Sequence, residues 1–505
     1  MCRSPVCLRP DLASRLRARC ARRASCPRFR LSGFAAGLLA LTPLAWPPRP
    51  AAAVEADDHD LGLIPAEVQE ETPPASPGLA EPAALPAARL HKKLFLEDAA
   101  SAASPVRTVP VPDPLPSPDW QNRTSFDLYL RWRPWTPFAL TLSDRLSLIE
   151  QEYLALFSRQ TARNDFREGY ASWEVAANTY LEAGRINLRN GVALGYNPTD
   201  FFKTHTVVLQ ASLDPSAMRE NRLGTLMARA EKIWTGGSAS IAYAPKLERP
   251  YAIVSDDWGV LPRLDATNSA HRVLGVASAD LGDFSSQLLG YFEPGRSKVG
   301  LNLSRPLGNA VVAYVEWAGG SEKSLIARAF AYGQETGTIP LVASLVLPTA
   351  SQAAFSNDAA AGASWTIAGR ITLNFEYHLH QSGFTRQDWQ NWFDAGSAGP
   401  NPSSAAEELW YIRAYGADVQ EPATRHQIFI RADWPRAFTS KLQLSGFAFV
   451  DLYDGSSLMQ VVASYYPSDK WTIALYGSAN AGGPRSERGS MPQLGSGLLQ
   501  VVRYL

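Results

Sequence analysis

Glu376, His378 and His380 stand at alternate positions in the stretch RITLNFEYHLHQ, 370–381. A carboxylate and two imidazoles at i, i+2 and i+4 are donors for a divalent metal if they share one face and a neighbouring segment completes the shell. On a wet surface the same three residues are merely solvated. Residues two apart share a face on a strand but not on a helix. Ile371, Leu373, Phe375, Tyr377 and Leu379 alternate with them, and Arg370, Thr372 and Asn374 extend the polar row. The stretch therefore reads as a strand with one polar and one apolar face. No resident metal or cofactor is expected, and the chain does not read as an enzyme. It shows no His/Cys ligand spacing, no phosphate-binding glycine loop ahead of a helix, no readable Ser–His pairing and no basic patch for nucleic acid.

The elements that carry these residues repeat one pattern. EAGRINLRN puts Arg185, Asn187 and Arg189 opposite Ile186 and Leu188. In HQIFIRADW, Arg431 and Asp433 oppose Ile428 and Ile430, and Arg229 and Glu231 alternate in the same way. Many such segments run ten to thirteen residues, against about five or six in soluble sheets. A tilted strand needs about nine to eleven residues to cross a bilayer. In hydrocarbon every backbone N–H and C=O must be paired, which only a closed barrel achieves for strands. The expected fold is an all-β, antiparallel, up-and-down transmembrane barrel. Ile371, Leu373, Phe375, Tyr377 and Leu379 would face lipid. Arg185, Asn187, Arg189, Arg229, Glu231, Arg370, Asn374, Glu376, His378, His380, Arg431 and Asp433 would line the pore. A large secreted β-sandwich is the competing architecture.

The pattern gives sixteen crossings between 136 and 505, or eighteen if 126–132 and 409–416 are strands as well. An even count puts both termini on one side. It groups the long connections 147–165, 191–221, 248–269, 319–357, 383–424 and 481–495 at the other end. The connection holding RNGVALGYNPTDFFKTH, 189–205, is a candidate constriction. Gly191 and Gly195 permit tight bends, Asn197 and Pro198 favour a turn, and Phe201 and Phe202, beside Asp200, can pack on the wall. The same loop can instead cap the mouth from outside. Nothing in the sequence resembles a dedicated plug.

The ends of the chain differ in composition. Ten arginines and one aspartate fill the first fifty residues, followed by an apolar run and Ala51-Ala52-Ala53. This reads as a signal peptide, 1–53, cleaved after Ala53. Its removal takes all four cysteines, Cys2, Cys7, Cys20 and Cys26, and leaves a net charge of −9. Residues 54–120 hold twelve prolines and twelve acidic residues. They are expected to be a disordered Pro/Ala-rich segment with at most a short helix at 88–98. The barrel would occupy 121–505.

The ending GLLQVVRYL resembles Gram-negative outer-membrane β-barrel proteins, and YLEAGRINLRNGVALGYNPTDFF, 180–202, is similar to a segment of porin-like and polysaccharide-export-like barrels. The resemblance implies an outer-membrane location with 54–120 in the periplasm. It also implies contact with membrane lipid and the barrel-assembly machinery, and a possible homo-oligomer. The chain departs from the usual ending, with Leu505 and Arg503 where an aromatic and a hydrophobic residue are common. The function these observations point to is a channel for passive or substrate-selective passage of small hydrophilic solutes, anionic ones among them. The alternatives are export of an anionic polymer and a non-conducting structural barrel.

Overall fold

The computed structural model describes residues 89–105, 109–114, 118–151, 162–253, 263–350, 352–368, 370–398 and 402–505, all within the unit Ala83–Leu505. The expected signal peptide and residues 54–88 lie outside the described residues.

Eighteen antiparallel strands close into one barrel. They are β1 Arg89–Pro105, β2 Trp120–Trp135, β3 Phe138–Gln151, β4 Ala162–Ala176, β5 Thr179–Ile186, β6 Thr225–Trp234, β7 Gly237–Ala244, β8 Arg272–Leu281 and β9 Phe284–Glu293. They continue as β10 Arg296–Leu307, β11 Val311–Glu322, β12 Ala354–Ile367, β13 Ile371–His380, β14 His426–Trp434, β15 Leu442–Asp451, β16 Ser457–Ser468, β17 Trp471–Ala481 and β18 Gln493–Tyr504. Each strand pairs with its neighbours in sequence, and β1 closes the sheet on β18 with Phe95 opposite Tyr504. All sixteen expected crossings are present. The count rises to eighteen because of β1 and β2.

Two expectations need correction. The segment 88–98, expected as a short helix in a disordered stretch, forms most of β1. No proline falls between Arg89 and Ser104, so a ladder on both sides is possible, and β18 and β2 supply it. Its alanine-rich alternation gives little contrast between faces, so the strand is specified by closure more than by its own pattern. Of the two extra candidates, 126–132 lies in β2, whereas 409–416 lies in a helix. Trp410, Ile412 and Arg413 pack there against other helices.

Two-residue connections such as 177–178, 235–236 and 469–470 gather at one end of the barrel, with both ends of the closing pair β1–β18. The long connections gather at the other end. They contain the helices α1 Pro215–Glu220, α2 Leu264–Thr267, α3 Leu325–Glu335, α4 Arg386–Ala398 and α5 Pro402–Asp418. Local capping fixes their starts. Asp214 caps α1 ahead of Pro215, and Ser324 Oγ accepts from Ala327 N at 3.2 Å on α3. Thr385 and Asp388 form a reciprocal capping box on α4. α3, α4 and α5 share an apolar core of Leu325, Ile326, Trp389, Trp392, Leu409 and Ile412. The β11–β12 and β13–β14 connections together build a small helical cap. Among the described residues no helix is long and apolar enough to cross a membrane.

Candidate functional site: the loop-filled lumen

The β5–β6 connection folds into the barrel, and inward carboxylates hold its backbone. Glu316 of β11 accepts from Val192 N at 2.8 Å, Ala193 N at 3.0 Å and Thr199 N at 2.8 Å. It also accepts from Thr199 Oγ1 at 2.8 Å. Glu376 of β13 accepts from Leu194 N at 2.6 Å and Gly195 N at 2.9 Å, and from Tyr314 Oη at 2.6 Å. Two side chains thus satisfy five consecutive or near-consecutive N–H groups that a non-helical, non-sheet segment would otherwise bury unpaired. Close approach requires the glycines. A Cβ on Gly191, whose φ is +100°, would stand 2.5 Å from Glu316 Oε1, and one on Gly195 would stand 2.6 Å from Phe429 Cγ. Asn197 binds back to Ala193 O, and Arg222 clamps Asp200 with contacts of 2.7 and 3.0 Å.

The far side of the loop packs on apolar wall residues. Phe201 stacks on Tyr291 at 4.7 Å, and with Phe202 it covers Met227, Ala242, Leu274 and Leu289. These inward-facing apolar positions on β6–β9 differ from a uniformly polar lumen. Beyond Phe202 the loop reaches across to β16, where Leu213 N donates to Gln460 Oε1 at 3.0 Å. It returns through α1, whose Ser216 Oγ accepts from Arg431 at 2.8 Å.

The expected pore-lining residues divide into three groups. Asn374, Glu376, His378 and His380 face inward but are buried: the last three are 0% exposed beneath the loop and cap. Water does not reach them, because the loop backbone and the cap occupy that space. Tyr196 lies 3.2 Å from His380 Nδ1, and His378 Nε2 lies 2.7 Å from Glu376. Among the described residues no group of three His, Cys, Asp or Glu side chains is arranged to hold a metal ion. Arg185 is buried at the strand end and donates to Gly224 O at 2.8 Å, and Asn187 secures α1 through Arg219 O and Glu220 O. Arg229 pairs with Glu182 and Glu231, and Arg431 with Asp433 and Asp214. Arg189 is exposed, and Arg370 is exposed in the β12–β13 turn, outside the strand, rather than on the lumen wall. β12 ends at Ile367 and β13 starts at Ile371, a break that the alternation alone does not reveal. In the outward row Phe375 is 53% and Tyr377 37% exposed.

A network that the sequence reading missed lies on β1–β4. Arg123 and Arg145 both bind Glu97, at 2.6 and 2.7 Å. Arg167 binds Asp127 at 2.5 Å, and Arg163 binds Asp165 at 2.8 Å. All seven side chains point inward, four cations against three anions. The available signal was the alternation in 163–167, RNDFR, which continues the inward row across neighbouring strands. Directly above this row, toward the long connections, lies a cavity of about 270 Å³. Ser101, Gln121, Tyr476, Ser478 and Ser496 line it, together with Leu213 of the inward loop. Ser101 shares the inward face of β1 with Glu97, and Gln121 that of β2 with Arg123. None of the four arginines lines this cavity: all are buried, and Arg163 and Arg167 reach the inward connection at Val207 O and Asn221 Oδ1.

Lys203 is a second cation within the loop. Its Nζ donates to Asn197 O at 2.7 Å and stands 4.2 Å from the Tyr196 ring centroid. Burial pushes this ammonium down to about 8, although Glu421, Asp200, Asp358 and Glu316 favour the charged form. The amine's folded-state value lies below its ordinary 10.5, so stability rises as pH climbs from about 8 toward 10.5. Over the same rise the loop loses a positive charge. Lys203→Met is expected to flatten the rise in stability between about pH 8 and 10.5, measured by unfolding in detergent. An unchanged profile in the variant would exclude Lys203 as its source.

No known family and no curated protein matches the sequence. Solved structures similar to it include a BenF-like porin from Pseudomonas fluorescens Pf-5, at 11% identity and TM-score 0.49, covering 82% of this chain and 98% of that one. Pseudomonas aeruginosa OccK5 (OpdH) aligns at 10% identity and TM-score 0.48, covering 83% and 98%. Pseudomonas aeruginosa OccK2 (OpdF), solved in complex with glucuronate, aligns at 10% identity and TM-score 0.47, covering 82% and 98%.

Proposed function

We propose that this outer-membrane barrel is a channel for small hydrophilic solutes with a preference for anions. The observation that carries the reading is the inward row Arg123, Arg145, Arg163 and Arg167, which outnumbers Glu97, Asp127 and Asp165 on the barrel's inner face. Fixed guanidinium groups in a narrow, low-dielectric passage attract anions and raise the barrier for cations. The carboxylates hold the guanidinium groups in place and so prevent the row from collapsing onto one wall. The inward connection narrows the lumen and meets this row at Arg163, whose guanidinium donates to Val207 O at 3.4 Å.

Reversal potential in a salt gradient across planar bilayers tests the reading. Wild type is expected to be anion-selective. Arg145→Gln removes one positive charge while Glu97 keeps Arg123 and Asp127 keeps Arg167, and it is expected to move the reversal potential toward zero. Cation selectivity of the wild type would end the proposal.

A further inference from the structure

We propose that the cavity of about 270 Å³ along β16–β18, β1 and β2 is a binding site for a small, neutral, polyhydroxylated solute. The proposal deepens the channel reading and rests on it for the route by which such a solute arrives. Strand register builds the site. Ser101 of β1 stands opposite Gln121 of β2 and Leu498 of β18, and Ser478 of β17 stands opposite Ser496 of β18. Serine is small, so these positions leave open a space that larger inward side chains fill elsewhere in the lumen. The inward connection supplies the facing wall. Gln460 Oε1 of β16 accepts from Leu213 N at 3.0 Å and so holds Leu213 against the space. The volume lies just below the range usual for small-molecule sites, about 300–1,000 Å³, and suits a solute of few atoms.

Charge narrows the class. Among the described residues that line the cavity there is no Lys, Arg or His, and the one carboxylate is that of Asp119. A carboxylate or phosphate ester would find no counter-charge here. Asp119 is exposed, so water and salt screen its pull on a cation.

The polar groups that remain are donors and acceptors in mixture. Ser478 Oγ and Ser496 Oγ lie 2.7 Å apart and share one proton, so the second hydroxyl proton is available to a ligand. Ser101 Oγ donates to Gln121 O at 3.3 Å, and Tyr476 Oη donates to Gln500 Oε1 at 2.7 Å; both oxygens keep lone pairs to accept with. Gln121 Nε2 donates to Gln151 Oε1 at 3.3 Å, which leaves Gln121 Oε1 as a further acceptor. A hydroxyl is a donor and an acceptor at once, whereas an ionised carboxylate only accepts. Several hydroxyls on a short carbon chain therefore match this lining, and Leu213 and Leu498 meet the carbon skeleton.

The test uses the full chain purified in detergent, where binding is read without conduction. In saturation-transfer NMR, mannitol is expected to receive signal from the wild type, and gluconate at the same concentration less. In Gln121→Leu/Ser496→Leu the affinity for mannitol is expected to fall about ten-fold, as the loss of one or two hydrogen bonds implies. In planar bilayers mannitol is expected to lower the wild-type ion current in a saturable way. Signal from gluconate equal to or above that from mannitol, or mannitol binding that the variant keeps, would overturn the assignment. The wild-type comparison of the two solutes decides the question even if the variant fails to assemble. A cation-selective or silent wild type that still binds mannitol would support the site while ending the reading of the barrel as an anion-preferring channel.

Discussion

Removing the carboxylates of Glu316 and Glu376 together is expected to raise single-channel conductance several-fold. The two side chains hold the segment 192–199 across the lumen through five backbone N–H groups, and no other described side chain does this for that segment. In Glu316→Ala/Glu376→Ala those donors lose their partners in a buried site, at a cost of about 1–3 kcal/mol each. Swinging into the lumen water relieves that cost, so the loop leaves the wall and the passage widens. The barrel itself is expected to persist, because its ladder does not depend on the loop; resistance of the folded band to unfolding in detergent checks this. Each single variant is expected to give an intermediate conductance with more frequent switching between levels, since one carboxylate still holds part of the segment. Unchanged conductance in the double variant would mean that Phe201 and Phe202, packed on Tyr291 and Leu289, suffice to keep the loop in place.

Glu421→Ala is expected to produce the largest loss of stability. Glu421 joins the cap to the barrel: it binds Arg296 of β10 at 2.7 Å and Arg328 of α3 at 2.5 Å, and lies 3.4 Å from His380. Removing one partner of a buried ionic group leaves the rest uncompensated and typically costs about 3–5 kcal/mol. Arg328 loses its carboxylate partner here, while Arg296 keeps Glu322 at 3.3 Å, which places the effect within that range. Burial alone would raise the Glu421 carboxyl, but Arg328, Arg296 and His380 hold it well below the usual carboxylate range. A group depressed in this way stabilises the fold fully above its unfolded value of 4.5, and the contribution is lost only as pH falls through the lower folded value. The cap is therefore expected to stay docked at neutral and mildly acidic pH and to loosen only in strong acid. Glu421→Ala is expected to behave at pH 7 as wild type does in strong acid. Unfolding curves in detergent with denaturant at both pH values, followed by tryptophan emission from Trp389, Trp392 and Trp410, measure this.

Much of the wall was legible in the sequence because a strand that separates lipid from lumen has to alternate. The sixteen expected crossings all exist, and turns such as 235–236 fall where glycines permit positive φ. β1 was illegible because its outward residues include Asp98, Ala100 and Ala102, which carry no apolar signal. The helical run 402–418 misread as a strand at 409–416 because Trp410, Ile412 and Tyr415 serve a local core and not a face of the sheet.

The sequence by itself determined that the protein is a closed antiparallel barrel, since a period of two sustained over bilayer-crossing lengths has no other outlet for its backbone hydrogen bonds. It also singled out Glu376, His378, His380 and the Gly191–Phe202 loop as inward or constricting residues. Only the tertiary structure decided what those residues meet. Alternation states which side of the wall a side chain takes; it is silent on whether water, a loop backbone or a counter-ion waits there. Glu376 is an anchor for N–H groups 182 and 181 residues away in sequence, and the buried inward arginines come from β2, β3 and β4, brought into one row by strand register alone.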